Sequence, residues 1–298
     1  MQTPSRPEPP LGEEFELAAS SGDSRRFALG YANGARSALM TVVSRFVYSD
    51  PVPVPTQAFV TALELLGFNE KATRQALNRA RDAGWLESQK VGRRSLWVLS
   101  PQGHELMDEG SSRIRALRGP KPAWDRRVLF VNVLVPENDR QTRHILRTRM
   151  SWLGFATVAS GLWVTTNLSA EVPARKLCAE LRLDAYSFTG VGGAIGSLDD
   201  VIREAWDLDR LADEYRSFID EFSPLRPSTP EEYFVYLARL VHRWRRFPFI
   251  DPNLPDELLP SPWIGARAVA LAQTLSGLWN QVAQDFWKEL LRRSAEGA

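Results

Sequence analysis

The sequence predicts an α+β chain of several domains: helices closed by a β-hairpin, then a β-α-β-β-α-β segment, then a mainly helical region. Three observations carry that expectation. The 298 residues exceed one ordinary core at roughly 100–200 residues per domain. The hydrophobic period changes along the chain, from helical spacing to short Val- and Leu-rich runs and back. Two breaks divide it, Arg118-Gly119-Pro120-Lys121-Pro122 and the glycine-rich run from Gly190 to Gly196. The expected parts are a disordered leader at 1–33, which is rich in Pro, Glu, Ser and Gly, and domains at 34–118, 119–196 and 197–298.

In the first domain Leu39, Val42, Val43, Phe46 and Val47 recur at helical spacing. Asp50 to Pro55, with three prolines, reads as an extended connector. Thr56 is placed to cap a second helix that Gly67 ends, and Asn69 to cap a third, Glu70 to Ala83, ended by Gly84. Two strand-like runs follow, Trp85 to Lys90 and Ser95 to Leu99, around a turn carrying Arg93 and Arg94. Pro101 opens a fourth helix. Three helices and a hairpin in this order predict a winged helix-turn-helix.

The third helix carries the chemistry. Ala72, Thr73, Ala76, Leu77 and Ala80 form a small and apolar stripe, while Lys71, Arg74, Gln75, Asn78 and Arg79 fall on the other side. Arginine forks suit guanine or phosphate, and Gln and Asn suit adenine. With Thr56 at the second helix and Arg93 and Arg94 at the hairpin tip, these are the candidate contacts to double-stranded DNA. Trp85 is expected to pack the hairpin against the third helix.

In the second domain Arg127 to Val135 reads as a buried strand. Arg140 to Leu153 is an amphipathic helix with Ile145, Leu146, Met150 and Leu153 on one side. Phe155 to Ala159 and Leu162 to Thr166 form a hairpin at Ser160-Gly161, Val172 to Leu181 a helix and Ala185 to Thr189 a last strand. This order predicts a ferredoxin-like domain. In the third, Ser197 and Asp200 suggest a capping box. Three apolar stripes follow: Leu208, Leu211, Tyr215, Phe218, Ile219, Phe222; then Tyr233, Leu237, Leu240, Val241, Trp244; then Ala270, Leu271, Leu275, Leu278, Val282. The cluster His242, Arg243, Trp244, Arg245, Arg246, with Trp263 beyond a proline-punctuated loop, is dense in cations and aromatic rings. It offers forks for phosphate and faces for adenine or an aryl group, as an acyl-coenzyme A would require. The alternative is that the arginines pair with Asp251, Asp256 and Glu257 and lock the loop.

Composition narrows the classes. At 44% hydrophobic and 24% charged the chain is ordinary for a globular protein. No apolar run reaches the ~18 residues of a membrane span, and the polar, proline-rich start is unlike a signal peptide, so a cytoplasmic protein with no membrane partner is expected. One cysteine, Cys178, and three histidines argue against a disulfide framework and a metal site. The net charge of +1 conceals a basic stretch from Asn69 to Leu99, with 7 basic and 3 acidic side chains. No Gly-x-Ser-x-Gly, P-loop or His-Glu-x-x-His occurs, the run at Gly190 departs from the dinucleotide fingerprint, and Cys178 reads as a buried thiol. No catalytic residue and no cofactor are expected.

Asn69 to Arg79, Gly84-Trp85-Leu86 and Gly92-Arg93-Arg94-Ser95 together resemble the PaaX family of phenylacetate-pathway transcriptional repressors. Trp124-Asp125-Arg126-Arg127 and Gly161-Leu162-Trp163-Val164 resemble its middle domain. His242 to Phe247, Asp251-Pro252, Leu254-Pro255, Glu257 to Pro260 and Trp263-Ile264-Gly265 resemble its C-terminal stretch. Ala80 and Arg81 depart from the bulkier apolar pattern. The resemblance implies a homodimeric repressor released by phenylacetyl-coenzyme A or another aryl-acyl-coenzyme A. It also implies a middle fold shared with small CRISPR-associated nucleases, which place an acidic metal ligand near the end of the first strand. Leu129 to Val135 carries none, so that domain reads as a dimerisation or coupling module. A metal-dependent nuclease is one alternative; a scaffold without DNA binding, which requires Arg74, Asn78 and Arg79 to be buried, is another.

Overall fold

The computed structural model describes residues 34–92, 94–118, 123–136, 138–193 and 195–296. They form two compact units, 34–106 with 291–296 and 107–290. The leader expected at 1–33 lies outside the described residues.

In the first unit α1 (Ala35–Val42) runs into a wider-wound turn, Val43–Val47, where the Tyr48 N–H donates to the Val43 carbonyl at 2.8 Å. The expected stripe from Leu39 to Val47 is buried. Residues 50–55 are not purely a connector. Val54–Pro55 forms β1, paired antiparallel with β3 (Arg94–Leu99) at Val54↔Trp97 and Pro55↔Leu96. The proline is tolerated because β1 is an edge strand. Next comes α2 (Thr56–Leu65), whose N-cap is Pro55 with no side-chain bond, so Thr56 does not cap it. Asn69 does cap α3 (Glu70–Asp82), accepting from the Ala72 N–H at 2.9 Å. Gly84, at φ +79°, turns the chain into β2 (Leu86–Val91), which pairs with β3 from Leu86↔Leu99 to Val91↔Arg94. The sheet order is β1-β3-β2.

The Trp85 side chain is 1% exposed, a packing residue as expected, and its backbone N–H donates to the Ala80 carbonyl at 3.2 Å, closing the end of α3 as the chain turns into the hairpin. The Ser100 hydroxyl donates to the Gly84 carbonyl at 2.6 Å and accepts from the Gly103 N–H at 2.9 Å, fixing the start of α4 (Pro101–Arg118).

The second unit takes in α4 from Met107 onward and then β4 (Val128–Leu134), α5 (Arg140–Trp152), β5 (Ala156–Ala159), β6 (Leu162–Thr165), α6 (Glu171–Glu180) and β7 (Asp184–Gly190). This is the β-α-β-β-α-β order the sequence predicts, and its antiparallel sheet has the order β5-β6-β4-β7. Its core holds Leu129, Val131 and Val133 of β4 against Leu146 and Met150 of α5, Ala174, Leu177 and Cys178 of α6, and Trp163. Burial raises the Cys178 thiol above its usual pKa, as for a packing residue.

The helical part comprises α7 (Leu198–Ala205), α8 (Leu208–Phe222), α9 (Pro230–Trp244), the short α10 (Phe247–Ile250) and α11 (Ile264–Glu296). Ser197 accepts from the Asp200 N–H at 3.4 Å, which is only half of the expected capping box. A complete box stands at Thr229 and Glu232 before α9. The α8 stripe is buried throughout. The α11 stripe is rotated from its expected phase: Ala268, Ala272, Leu275, Trp279, Ala283 and Trp287 face inward, Ala270 is exposed and Leu278 is 67% exposed. Of the expected stripe only Leu275 is buried, and alanines with Trp279 and Trp287 make up most of the inward face. Tyr236 lies against Trp279, and Phe234 against Phe286 and Trp287.

Candidate functional site

The face of α3 is set by its own periodicity. Thr73, Ala76, Leu77 and Ala80 are buried, whereas Lys71, Arg74, Gln75, Asn78 and Arg79 are all exposed. Ala80, where a larger residue was expected, is fully buried at the carbonyl that receives Trp85. The Arg74 guanidinium reaches back one turn to Glu70, Nε to Oε1 2.7 Å, in an exposed pair. Such a pair orients the side chain but contributes little to folding. Gln75, Asn78 and Arg79 continue the polar surface, a donor-rich ridge about two turns long.

The hairpin presents a second polar surface. Along β2 only Leu86 is buried; Glu87, Ser88, Gln89, Lys90 and Val91 are exposed. Gly92, at φ +62°, makes the turn. Arg93 lies outside the described residues. Arg94 is half-buried opposite Val91 at the start of β3. Thr56 turns inward: its hydroxyl donates to the Ser95 carbonyl at 3.1 Å and accepts from Trp97 Nε1 at 2.9 Å, tying the start of α2 to β3.

The residues considered for an effector separate into two environments. Trp244 is buried among Phe218, Phe247 and Tyr215. Tyr215 stacks on Phe247 (4.2 Å between centroids, 3° between planes), meets Trp263 edge-on and donates its phenolic proton to Asp251 Oδ2 at 2.6 Å. Burial, with the charge and hydrogen bond of Asp251, pushes the Tyr215 phenol far up, so it remains a donor. Asp251 Oδ1 accepts from the Asn253 N–H at 2.6 Å, fixing the loop after α10. Trp244 therefore belongs to an aromatic core, and Trp263 lies half-buried at its edge.

The cations lie on the α8 side. Arg243 Nε donates to Glu221 Oε2 at 3.0 Å and its Nη2 to Ser217 Oγ at 3.4 Å. Arg246 pairs with Glu214 at 3.1 Å, and Arg239 joins Glu221 at 3.1 Å. Arg243 and Arg246 thus find carboxylates on α8, not in the loop of Asp251, Asp256 and Glu257 where pairing was weighed. His242 is half-buried, and burial, then the charges of Arg245 and Arg243, lowers its pKa to about 4, so it is neutral at pH 7. Arg245 is half-buried beside it.

Sequence reasoning missed Glu214, Ser217 and Glu221, although their spacing of three and four residues puts them on one face of α8. Among the described residues no three His, Cys, Asp or Glu side chains come together as a metal ion would need, and no helix is long and apolar enough to cross a membrane.

Comparison with known proteins covers the chain in three consecutive segments. Residues 34–103 match the family model described as PaaX-like protein, 121–199 the PaaX protein central Cas2-like domain, and 206–289 the PaaX-like protein C-terminal domain. A protein of Escherichia coli (strain K12) named transcriptional repressor PaaX is 32% identical over 224 residues, 69% of this chain and 68% of that one. Among solved structures, the uncharacterized protein Rv0674 from Mycobacterium tuberculosis is similar with a TM-score of 0.53 and 23% identity. That likeness covers 87% of this chain and 97% of the other, and bears on the fold alone.

Proposed function

Because the chain belongs to the PaaX family, we propose that it is a sequence-specific DNA-binding transcriptional repressor of an aromatic-acid operon of the phenylacetate type. It is a regulator and not an enzyme. The observation that carries this reading is the exposure of all five polar residues along α3, followed by a hairpin whose β2 side chains are exposed from Glu87 to Val91. Residues 34–118 act as a winged helix-turn-helix in the cytoplasm. Arg74, Gln75, Asn78 and Arg79 face base edges of double-stranded operator DNA, Lys71 faces phosphate, and Arg93 and Arg94 reach the flanking backbone. Residues 119–196 form a ferredoxin-like coupling module of a homodimer, which places two α3 helices on a two-fold operator. Thr56 supports the hairpin from within, where its hydroxyl is already bonded. The exposure of Arg74, Asn78 and Arg79 counts against a scaffold. The absence of a carboxylate in Leu129 to Val135 counts against a nuclease.

Residues 197–298 answer to an aryl-acyl-coenzyme A, phenylacetyl-coenzyme A being the first to test. Phosphates arriving at the junction of α9 and α10 compete with Glu214 and Glu221 for Arg246 and Arg243. Exchanging one set of anions for another there loosens α9 from α8. By linkage the ligand weakens DNA binding only as far as it prefers the conformer that binds DNA poorly.

The test is a fluorescence anisotropy titration of promoter DNA from the protein's own operon, with and without phenylacetyl-coenzyme A. Salt-sensitive binding released by the thioester is expected. Arg74→Ala is expected to lose about 1–3 kcal/mol of binding with folding unchanged. Normal operator binding by that variant overturns the placement of the recognition face, and binding indifferent to the thioester removes that effector.

A further inference from the structure

The second unit carries a cationic ridge that the DNA-reading face does not include. Helix α5, Arg-Gln-Thr-Arg-His-Ile-Leu-Arg-Thr-Arg-Met-Ser-Trp, contains four arginines and no carboxylate. Its apolar side, with Leu146 and Met150, is spent on the sheet. Its far end is engaged too, where Trp152 packs edge-on against Phe249 of α10 at 4.5 Å. Five of its residues remain exposed: Arg140, Gln141, Arg143, Arg147 and Ser151. At 100° per residue Arg140, Arg143, Arg147 and Ser151 share one narrow stripe.

The surroundings leave that stripe positive. Glu180 of α6 is held by Arg149 at 2.8 Å, on the flank of α5, and Glu171 accepts from Ser187 at 2.6 Å. Neighbouring α6 adds exposed Arg175 and Lys176. Asp139 is the carboxylate closest in sequence; it caps α5 by accepting from the Thr142 N–H at 2.9 Å, and Arg143 lies near it. Arg143 also donates to the Pro136 carbonyl at 3.0 Å, so the outward charge rests chiefly on Arg140 and Arg147. Seven residues separate these two, about 10 Å along the helix. Guanidiniums at that spacing can grip separate phosphates of a strand that carries one charge per ~3.4 Å of duplex axis.

We propose that the α5 ridge, through Arg140 and Arg147, is a second DNA contact that binds the phosphate backbone of duplex. The proposal rests on the DNA-binding reading above. A contact of this kind adds affinity without sequence information, because phosphates are the same at every step.

The experiment measures the affinity of the full chain for promoter DNA of its own operon, and for a scrambled duplex of equal length, over a series of salt concentrations. The proteins compared are the wild type, Arg140→Gln/Arg147→Gln, Arg140→Lys/Arg147→Lys and Arg74→Ala. The glutamine pair is expected to lower the slope of log affinity against log salt by about 1.8 per bound protomer. With the affinity extrapolated to 1 M salt unchanged, that is roughly 60-fold at 0.1 M. Operator and scrambled duplex lose equally, so their ratio holds, and the lysine pair retains the slope. Arg74→Ala instead lowers the ratio. A glutamine pair with wild-type slope and affinity, alongside an impaired Arg74→Ala, overturns the α5 contact and leaves the DNA-binding reading intact. A loss the lysine pair shares in full overturns the electrostatic contact as well. A wild type that binds neither duplex overturns both readings.

Discussion

Replacing Thr56 by valine removes one hydroxyl and keeps the shape of the side chain. That hydroxyl stands between two groups of the hairpin, accepting from Trp97 Nε1 at 2.9 Å and donating to the Ser95 carbonyl at 3.1 Å. Trp97 is only 5% exposed, so its indole N–H, once orphaned, has little access to water. A buried donor left without a partner costs about 1–3 kcal/mol. Ser95 is half-buried and its carbonyl regains water in part, adding a few tenths at most. The expected loss is therefore about 2 kcal/mol, read as a lower midpoint at unchanged slope in a urea titration followed by tryptophan fluorescence. Thr56→Ser, which keeps the hydroxyl, should recover most of it. The same pair separates support from contact: if Thr56 works by holding the hairpin, DNA affinity recovers with stability in the serine variant. A valine variant as stable as wild type to within 0.5 kcal/mol, yet weak on DNA, would refute this account of Thr56 and return it to the DNA surface.

Gly103→Ala tests the packing beneath the hairpin. A Cβ there collides with the Trp85 carbonyl and comes to 2.8 Å from Leu99 Cδ2, so a loss of about 1–3 kcal/mol is expected by urea titration. Tyr215→Phe removes the proton shared with Asp251 while leaving the stack on Phe247, and should cost about 1.5–3 kcal/mol. Because the folded-state pKa of that phenol is raised, its contribution is complete below the unfolded value near ~10 and is lost as pH rises above it, so the phenylalanine variant should show a flatter alkaline limb. His242 behaves in the opposite sense. Its folded pKa of about 4 lies below the unfolded value near ~6.5, so stability is present above the latter and is lost as pH falls through the window, by about 3 kcal/mol at most. His242→Gln should flatten that acid limb in titrations between those two pH values, and an unchanged slope would show that His242 is not the group responsible.

What could be read beforehand follows the range of the forces involved. Side chains of α3 sort themselves by a local period of 3.6, so Lys71, Arg74, Gln75, Asn78 and Arg79 were legible as an outward set, and Trp85 as a packing residue. Thr56 was misread because Ser and Thr before a helix normally cap it, whereas the bond it makes here depends on β3, 39 and 41 residues away. The strand at Val54–Pro55 was hidden by its prolines, which are compatible with an edge but argue against a central strand. Arg243 and Arg246 were legible as paired or ligand-seeking, but their partners on α8 lie 22 and 32 residues away, nearer carboxylates in sequence being the wrong guide for these two. On α11 alanines and tryptophans took most of the inward face, Leu275 alone of the expected stripe being buried, because Phe234 and Tyr236 of α9 meet Trp287 and Trp279 there.

The outer strand of the hairpin has one further consequence. Five of the six side chains of β2 support nothing beneath them, while the backbone of the strand is held along its whole length by β3. Exchanges from Glu87 to Val91 are therefore nearly neutral for folding, provided they remain compatible with a strand. The buried set Trp85, Leu86, Trp97 and Leu99 has no such freedom. Mutation can thus rewrite this margin of the molecule one residue at a time without first finding a compensating change in the core. Duplicated copies of the gene can diverge there while keeping the same scaffold.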